Sequence, residues 1–155
     1  MADVNKTSRG MQDRTVRQFS VFLENKVGRL LDLAKLLGSN HIHICALTVI
    51  EMADAAVVRL ITSDPGETRD VFHRAGVAHS EFNVIAVELP HGPEGLDKVL
   101  SALLEAEINI LFTYSMMIRP RDKAVLALGV EDEETAMDVL RRHEYTVLGQ
   151  GDISR

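Results

Sequence analysis

The chain has 155 residues, 46% of them hydrophobic and 26% charged, enough to bury a core and suited to one large domain or two small ones. Seventeen Lys and Arg against twenty-three Asp and Glu give a formal net charge of −6, which opposes broad electrostatic binding to nucleic acid or anionic membranes. One cysteine cannot form an intramolecular disulfide, and with no charged-then-apolar leader and no apolar run long enough for a bilayer the expected address is cytoplasmic.

Residues 1–16 are polar and show no period, so they read as a flexible N-terminal tail. From Arg17 the pattern is regular. "RQFSVFL" alternates as a strand, 25–28 form a turn, and Leu30, Leu33, Ala34 and Leu37 fall on one helical stripe. "IHICALTVI" is a second strand, "MADAA" a hairpin turn and "VVRLITS" a third strand. Asp64, Pro65 and Gly66 open a second helix, its stripe Thr68, Val71, Phe72 and Ala75, and Gly76 closes it. "VAHSEF" is the fourth strand.

The stretch from Asn83 replays this order. "NVIAVEL" is a strand and "PHGPEG" a loop, after which Leu96, Val99, Leu100 and Leu103 match the first stripe at a constant offset of 66. "AEINI" falls on "NHIHI" at the same offset. After the longer hairpin "RPRDK" the offset is 68, and Ala136, Val139, Leu140 and His143 match the second stripe. Each half therefore reads β-α-β-β-α-β. The fold class is α+β: two tandem ferredoxin-like units, 17–82 and 83–155, with antiparallel sheets and helices on one face. Leu30, Leu33, Leu37, Leu96, Leu100 and Leu103 are expected beneath those sheets.

That fold hosts many functions, so sites must decide. RNA-binding versions stack bases on aromatics of the central strands, and "AAVVRLI" and "KAVLALGV" have none. Metal-carrying versions want C-x-x-C after the first strand, where this chain has "ENKVGR" and "PHGPEG". A third user fits. "FLENKVGRLLDLAKLLGSNHIHICAL" resembles the amino-acid-binding ACT family: a strand, a loop with Asn and Gly-x-Leu, a helix, then an Asn-x-Ile-x-Ile strand. "VELPHGPEGLDKVLSALLEAEINILFTYSM" resembles it again, most closely around Gly95, Leu96 and "INI", although Val27 stands where the family commonly has proline. The likeness spans residues 17–150 and is nearest to stand-alone tandem ACT proteins without an enzyme domain.

Gly28 and Gly95 stand where backbone amides open a helix, a setting that suits a carboxylate. Either glycine could equally serve only a tight strand-to-helix turn. The resemblance implies more: an amino acid held where two ACT units meet, by the first loop, the helix start and a neighbouring strand. Carried over, one site comprises Asn25, Lys26, Val27, Gly28, Arg29 and Leu30 with Asn40, His41 and Ile42. A second, weaker one comprises His91, Gly92, Gly95 and Leu96 with Glu107 and Asn109.

"SNHIHICALTV" also sets His41, His43 and Cys45 at alternate positions, the period of a strand, on the face opposite Ile42 and Ile44. Their ends are roughly 13 Å apart along a strand, so the three cannot converge on one ion, and the second repeat has Glu107, Asn109 and Leu111 there. "EDEE" at 131–134 reads as acid-rich capping of a helix start. No catalytic triad, phosphate-binding loop or paired-carboxylate constellation is present. The expected protein is a non-catalytic regulator without cofactor that binds an amino acid, forms a homodimer and acts on an enzyme in trans. The alternatives are an oligomerisation module that binds no ligand, and a metal-binding protein using His41, His43 and Cys45.

Overall fold

The computed structural model describes residues 14–24 and 26–154. Two compact units form, Arg17–Phe82 and Asn83–Ile153. In the first, β1 (Val16–Glu24) leads to α1 (Arg29–Ser39), β2 (Ile44–Glu51), β3 (Ala55–Thr62), α2 (Pro65–Ala75) and the opening residues of β4 (His79–Leu89). The strand order is β2-β3-β1-β4, with β1–β3 and β2–β3 antiparallel. Alternation along β1 sends Phe19 and Val21 towards the helices, where they meet Leu33, Leu37 and Phe72 in one core. Phe19 and Phe72 stand edge to face at 5.7 Å, a favoured aromatic geometry.

The second unit repeats the order. The rest of β4 is followed by a 3-10 turn (Gly92–Gly95), α3 (Leu96–Glu105), β5 (Ile110–Ser115), β6 (Ala124–Val130), α4 (Glu133–Arg142), β7 (Val147–Leu148) and a last short helix α5 (Gln150–Ile153). β4 pairs β6 and β7, and β6 pairs β5, all antiparallel. Ile85, Val87, Leu103, Leu128 and Leu140 centre its core. The α+β class with antiparallel sheets is the one expected. The helix α5, which buries Ile153, was not.

Several positions differ from the sequence reading. Leu30 and Leu96 remain 40% and 37% exposed, because they lie in the first turn of their helices, where the stripe has not yet passed over the sheet. Leu33, Leu37 and Leu103 are buried and Leu100 is half-buried. The last members of the second-helix stripes, Ala75 and His143, are exposed. The second strand begins at Ile44 rather than Ile42, since His41 turns the chain in the left-handed region at φ 59°, and Glu107 does the same at φ 55°. Both repeats then carry a register irregularity, between Ile44 and Ala46 and between Ile110 and Phe112. The extra residues, Cys45 and Leu111, are again 66 apart.

One ion pair ties α2 to β4. Arg69 donates from both Nε and Nη2 to Glu81, with Nε–Oε2 at 2.8 Å, and Arg17 Nε lies 3.6 Å from Oε1. The Arg69 hydrogen bonds hold the Glu81 carboxyl below its ordinary 4.5. A depressed carboxylate stabilises the fold above its unfolded value and loses that contribution as pH falls through the folded one. Glu81→Gln is therefore expected to cost about 0.5–1 kcal/mol at pH 7. Denaturant melts at descending pH should show the gap from wild type closing below the usual carboxylate range. A gap as wide at pH 3 would rule the pair out as its source.

Candidate functional site

The first loop is an exposed turn held by local charge. Lys26 Nζ lies 2.9 Å and Arg29 Nη2 3.6 Å from Glu24 Oε2, and the Lys26 hydrogen bond holds the Glu24 carboxyl below its ordinary value. Gly28 is the N-terminal cap of α1 at φ 88°, where it makes no side-chain cap bond. An added Cβ there would meet nothing within 4 Å, so the glycine is required by its left-handed conformation and not by crowding. Lys26, Val27, Gly28, Arg29 and Leu30 are all exposed, and Asn25 falls outside the described residues.

The residues expected to complement this loop lie elsewhere in the unit. Asn40 caps the other end of α1, its Nδ2 donating to Leu36 O at 2.8 Å; His41 is exposed, and Ile42 is buried in the core. The 11 residues of α1 separate the two groups by about 16 Å. Within one unit they form no common site. A cavity of about 200 Å³ opens instead beside Leu23, Arg29, Asp32, Leu36 and Val77, and of the expected residues it takes in only Arg29.

The second loop differs in form. Its left-handed residue is Gly92 at φ 59°, while Gly95, the cap of α3, is buried at φ −93° and also lacks a side-chain cap bond. Glu107 and Asn109 lie past the far end of α3, where Asn109 Nδ2 donates to Glu131 Oε1 at 3.1 Å. They do not join His91, Gly92, Gly95 and Leu96. Gly92 and Leu96 do line a cavity of about 500 Å³, closed on its other side by Ser115, Arg119, Asp122 and Lys123. Cavity size thus runs opposite to the expected ranking of the two sites. The residues that the hairpin adds to this cavity belong to "RPRDK", which carries three cations and is longer than its counterpart in the first repeat.

The other helix starts are closed. Asp64 accepts from Glu67 N at 3.0 Å and Asp132 from Thr135 N at 3.1 Å, so "EDEE" holds a cap as read. The alternating His41, His43 and Cys45 do not share a strand face. The two histidines are exposed, while Cys45 is buried at the bulge with its thiol pushed up by desolvation. Among the described residues no three His, Cys, Asp or Glu are grouped to hold a metal ion, and no helix is long and apolar enough to cross a membrane.

Against this geometry the comparison with known families is decisive, since the model of the ACT domain pair matches residues 14–155. The chain belongs to the ACT domain pair family. Among solved structures, the ACT pair is similar to a Bacteroides thetaiotaomicron protein at 27% identity and a TM-score of 0.83, covering 92% of this chain and 97% of that one. It shares its fold with the regulatory subunit of aspartate kinase from Thermus thermophilus in its ligand-free form, at 12% identity, a TM-score of 0.59 and coverage of 84% and 93%. Aspartokinase alpha and beta subunits give 14% identity, a TM-score of 0.55 and coverage of 84% and 92%. No curated protein matches the chain.

Proposed function

We propose that this ACT domain pair is a non-catalytic regulator that binds a small amino acid at its first loop, assembles as a homodimer and acts on an enzyme in trans. The observation that carries the reading is an asymmetry between helix starts. The second helix is closed by an aspartate, Asp64 or Asp132, whereas the first helix of the first repeat starts at Gly28 with no side-chain cap; at Gly95 the preceding 3-10 turn already offers Pro93 O to Leu96 N. The first amides of a helix have no intrahelical acceptor, and an α-carboxylate can supply one.

A thermal-shift screen of the common amino acids at millimolar concentration tests it. A ligand at 100 times its Kd adds about 2.7 kcal/mol, a shift of roughly 5–10 °C for a chain of this size. No response to any amino acid would favour the oligomerisation module. Light scattering should report a dimer, and a monomer at every concentration would remove the assembly from the proposal.

A further inference from the structure

Two histidines meet where the second helix of the first unit gives way to β4. His73 lies in the last turn of α2 and is exposed, and His79 is the first residue of β4 and half-buried. Their ring centroids are 5.4 Å apart, with the ring planes inclined at 72°. His79 is also held from other directions. It packs on Phe72 at 5.1 Å and on Phe19 at 6.0 Å, and its Nδ1 lies 2.9 Å from Val77 O. A carbonyl only accepts, so Nδ1 carries a proton, and in the neutral ring Nε2 keeps its lone pair. Histidine ligands of metal ions are held in this way, with the second ring nitrogen donating to a carbonyl or carboxylate.

The turn between the two histidines is closed by backbone hydrogen bonds. Gly76 ends α2 in the left-handed region at φ 68°, its N–H donating to His73 O at 3.3 Å, while Val77 N–H donates to Phe72 O at 2.9 Å. Charge around the pair is balanced. Arg69 and Arg17 are matched to Glu81 and Arg74 to Glu67, and Asp70 adds a third carboxylate beside Arg69, so a dication meets no net positive field. The fold itself does not demand the pair, since at the offset of 68 the second repeat has Arg141 and Val147.

We propose that His73 and His79 bind a divalent transition-metal ion of the zinc class, His79 through Nε2, and that the ion staples the end of α2 to the start of β4. Zinc bonds a ring nitrogen at about 2.0–2.1 Å, which sets each ring centroid about 3.2 Å from the ion and, at a tetrahedral angle, the two centroids about 5.2 Å apart. The observed 5.4 Å meets that requirement. The inclination matters too, because a face-to-face stack would hold the ring edges parallel, whereas inclined rings can turn both edges towards one point. Imidazole ligands favour zinc, copper and nickel over magnesium and calcium. The Glu81 carboxylate, two residues along β4, is taken by Arg69 and Arg17, so the remaining positions on the ion fall to solvent. The site is separate from the loop that opens α1 and does not rest on the amino-acid reading.

Calorimetry and thermal melts of the full chain with zinc chloride and magnesium chloride test the site, on protein without an affinity tag and first stripped of metal with a chelator. Zinc should bind at one ion per chain and raise the melting temperature, and magnesium should do neither. His73→Ala, at an exposed position, should weaken zinc binding by about tenfold or more, since even loss of a partner behind a metal ligand costs about 10–100-fold. His79→Phe keeps a ring against Phe19 and Phe72 and should weaken binding equally. The exposed histidines before and within β2 serve as the control, and His41→Ala/His43→Ala should bind zinc as wild type does. NMR of the imidazole nitrogens should show Nε2 of His79 moving on zinc addition while Nδ1 stays protonated. No uptake of zinc, an equal response to magnesium, wild-type affinity in His73→Ala or His79→Phe, or loss of uptake in His41→Ala/His43→Ala overturns the proposal.

Discussion

Gly28→Val is expected to abolish amino-acid binding at the first loop and to lower the melting temperature. Gly28 sits at φ 88°, a region that a β-branched residue enters only under strain of about 1–3 kcal/mol. For a chain of this length that is about 2–12 °C. No atom lies within 4 Å of an added Cβ, so the damage comes from the backbone conformation and not from a clash with the protein. A turn that relaxes to negative φ would re-aim the amides that open α1. Gly28→Asn is the companion variant. Asparagine tolerates the left-handed region, so the turn and the melting temperature should be kept while its side chain crowds the approach of a ligand. Calorimetry and thermal melts on both variants separate conformation from access. Wild-type affinity in Gly28→Val would remove the first loop from the site.

The second large effect is expected at Arg121. Arg121→Met leaves the carboxylate of Glu88 buried with no countercharge, a change that costs about 3–5 kcal/mol in fully buried pairs. The Arg121 side chain is 52% exposed, so solvent already screens part of the attraction and about 2 kcal/mol is the better expectation. That corresponds to a fall of roughly 4–8 °C. The double variant Glu88→Met/Arg121→Met removes both charges and should recover most of the loss, because an apolar pair of similar volume needs no compensation. If Arg121→Met melts with wild type, the pair does not anchor the hairpin. If the single and double variants melt alike, the loss comes from Arg121 packing and not from the uncompensated buried charge of its partner.

Much of this could be read from order and period. The offset of 66 aligns not only the leucine stripes but also features that no periodicity announced, namely the left-handed pair His41 and Glu107 and the bulged pair Cys45 and Leu111. Repetition carried them because the two halves solve one folding problem twice. The alternation of His41, His43 and Cys45 misled for the same physical reason. A period of two is meaningful only where the backbone is extended, and here the chain first turns at His41 and then bulges at Cys45. The leucine stripes were right in phase and too long at their start, since a 3.6 period says which face turns inward but not where a helix begins to overlie its sheet.

The sequence by itself determined the repeat, the βαββαβ order and the glycines at the two helix starts, which follow from period and offset along the chain, and its motifs carried the resemblance to the ACT family. Only the tertiary structure decided that Asn40 and His41 lie a helix length from Gly28, that Gly92 rather than Gly95 takes the left-handed turn, and that Arg119 and Lys123 face a cavity while Arg121 faces Glu88. Those facts depend on which elements pack against one another. Neighbours in space that are 33 residues apart in the chain, such as Glu88 and Arg121, leave no periodic trace in the sequence that joins them.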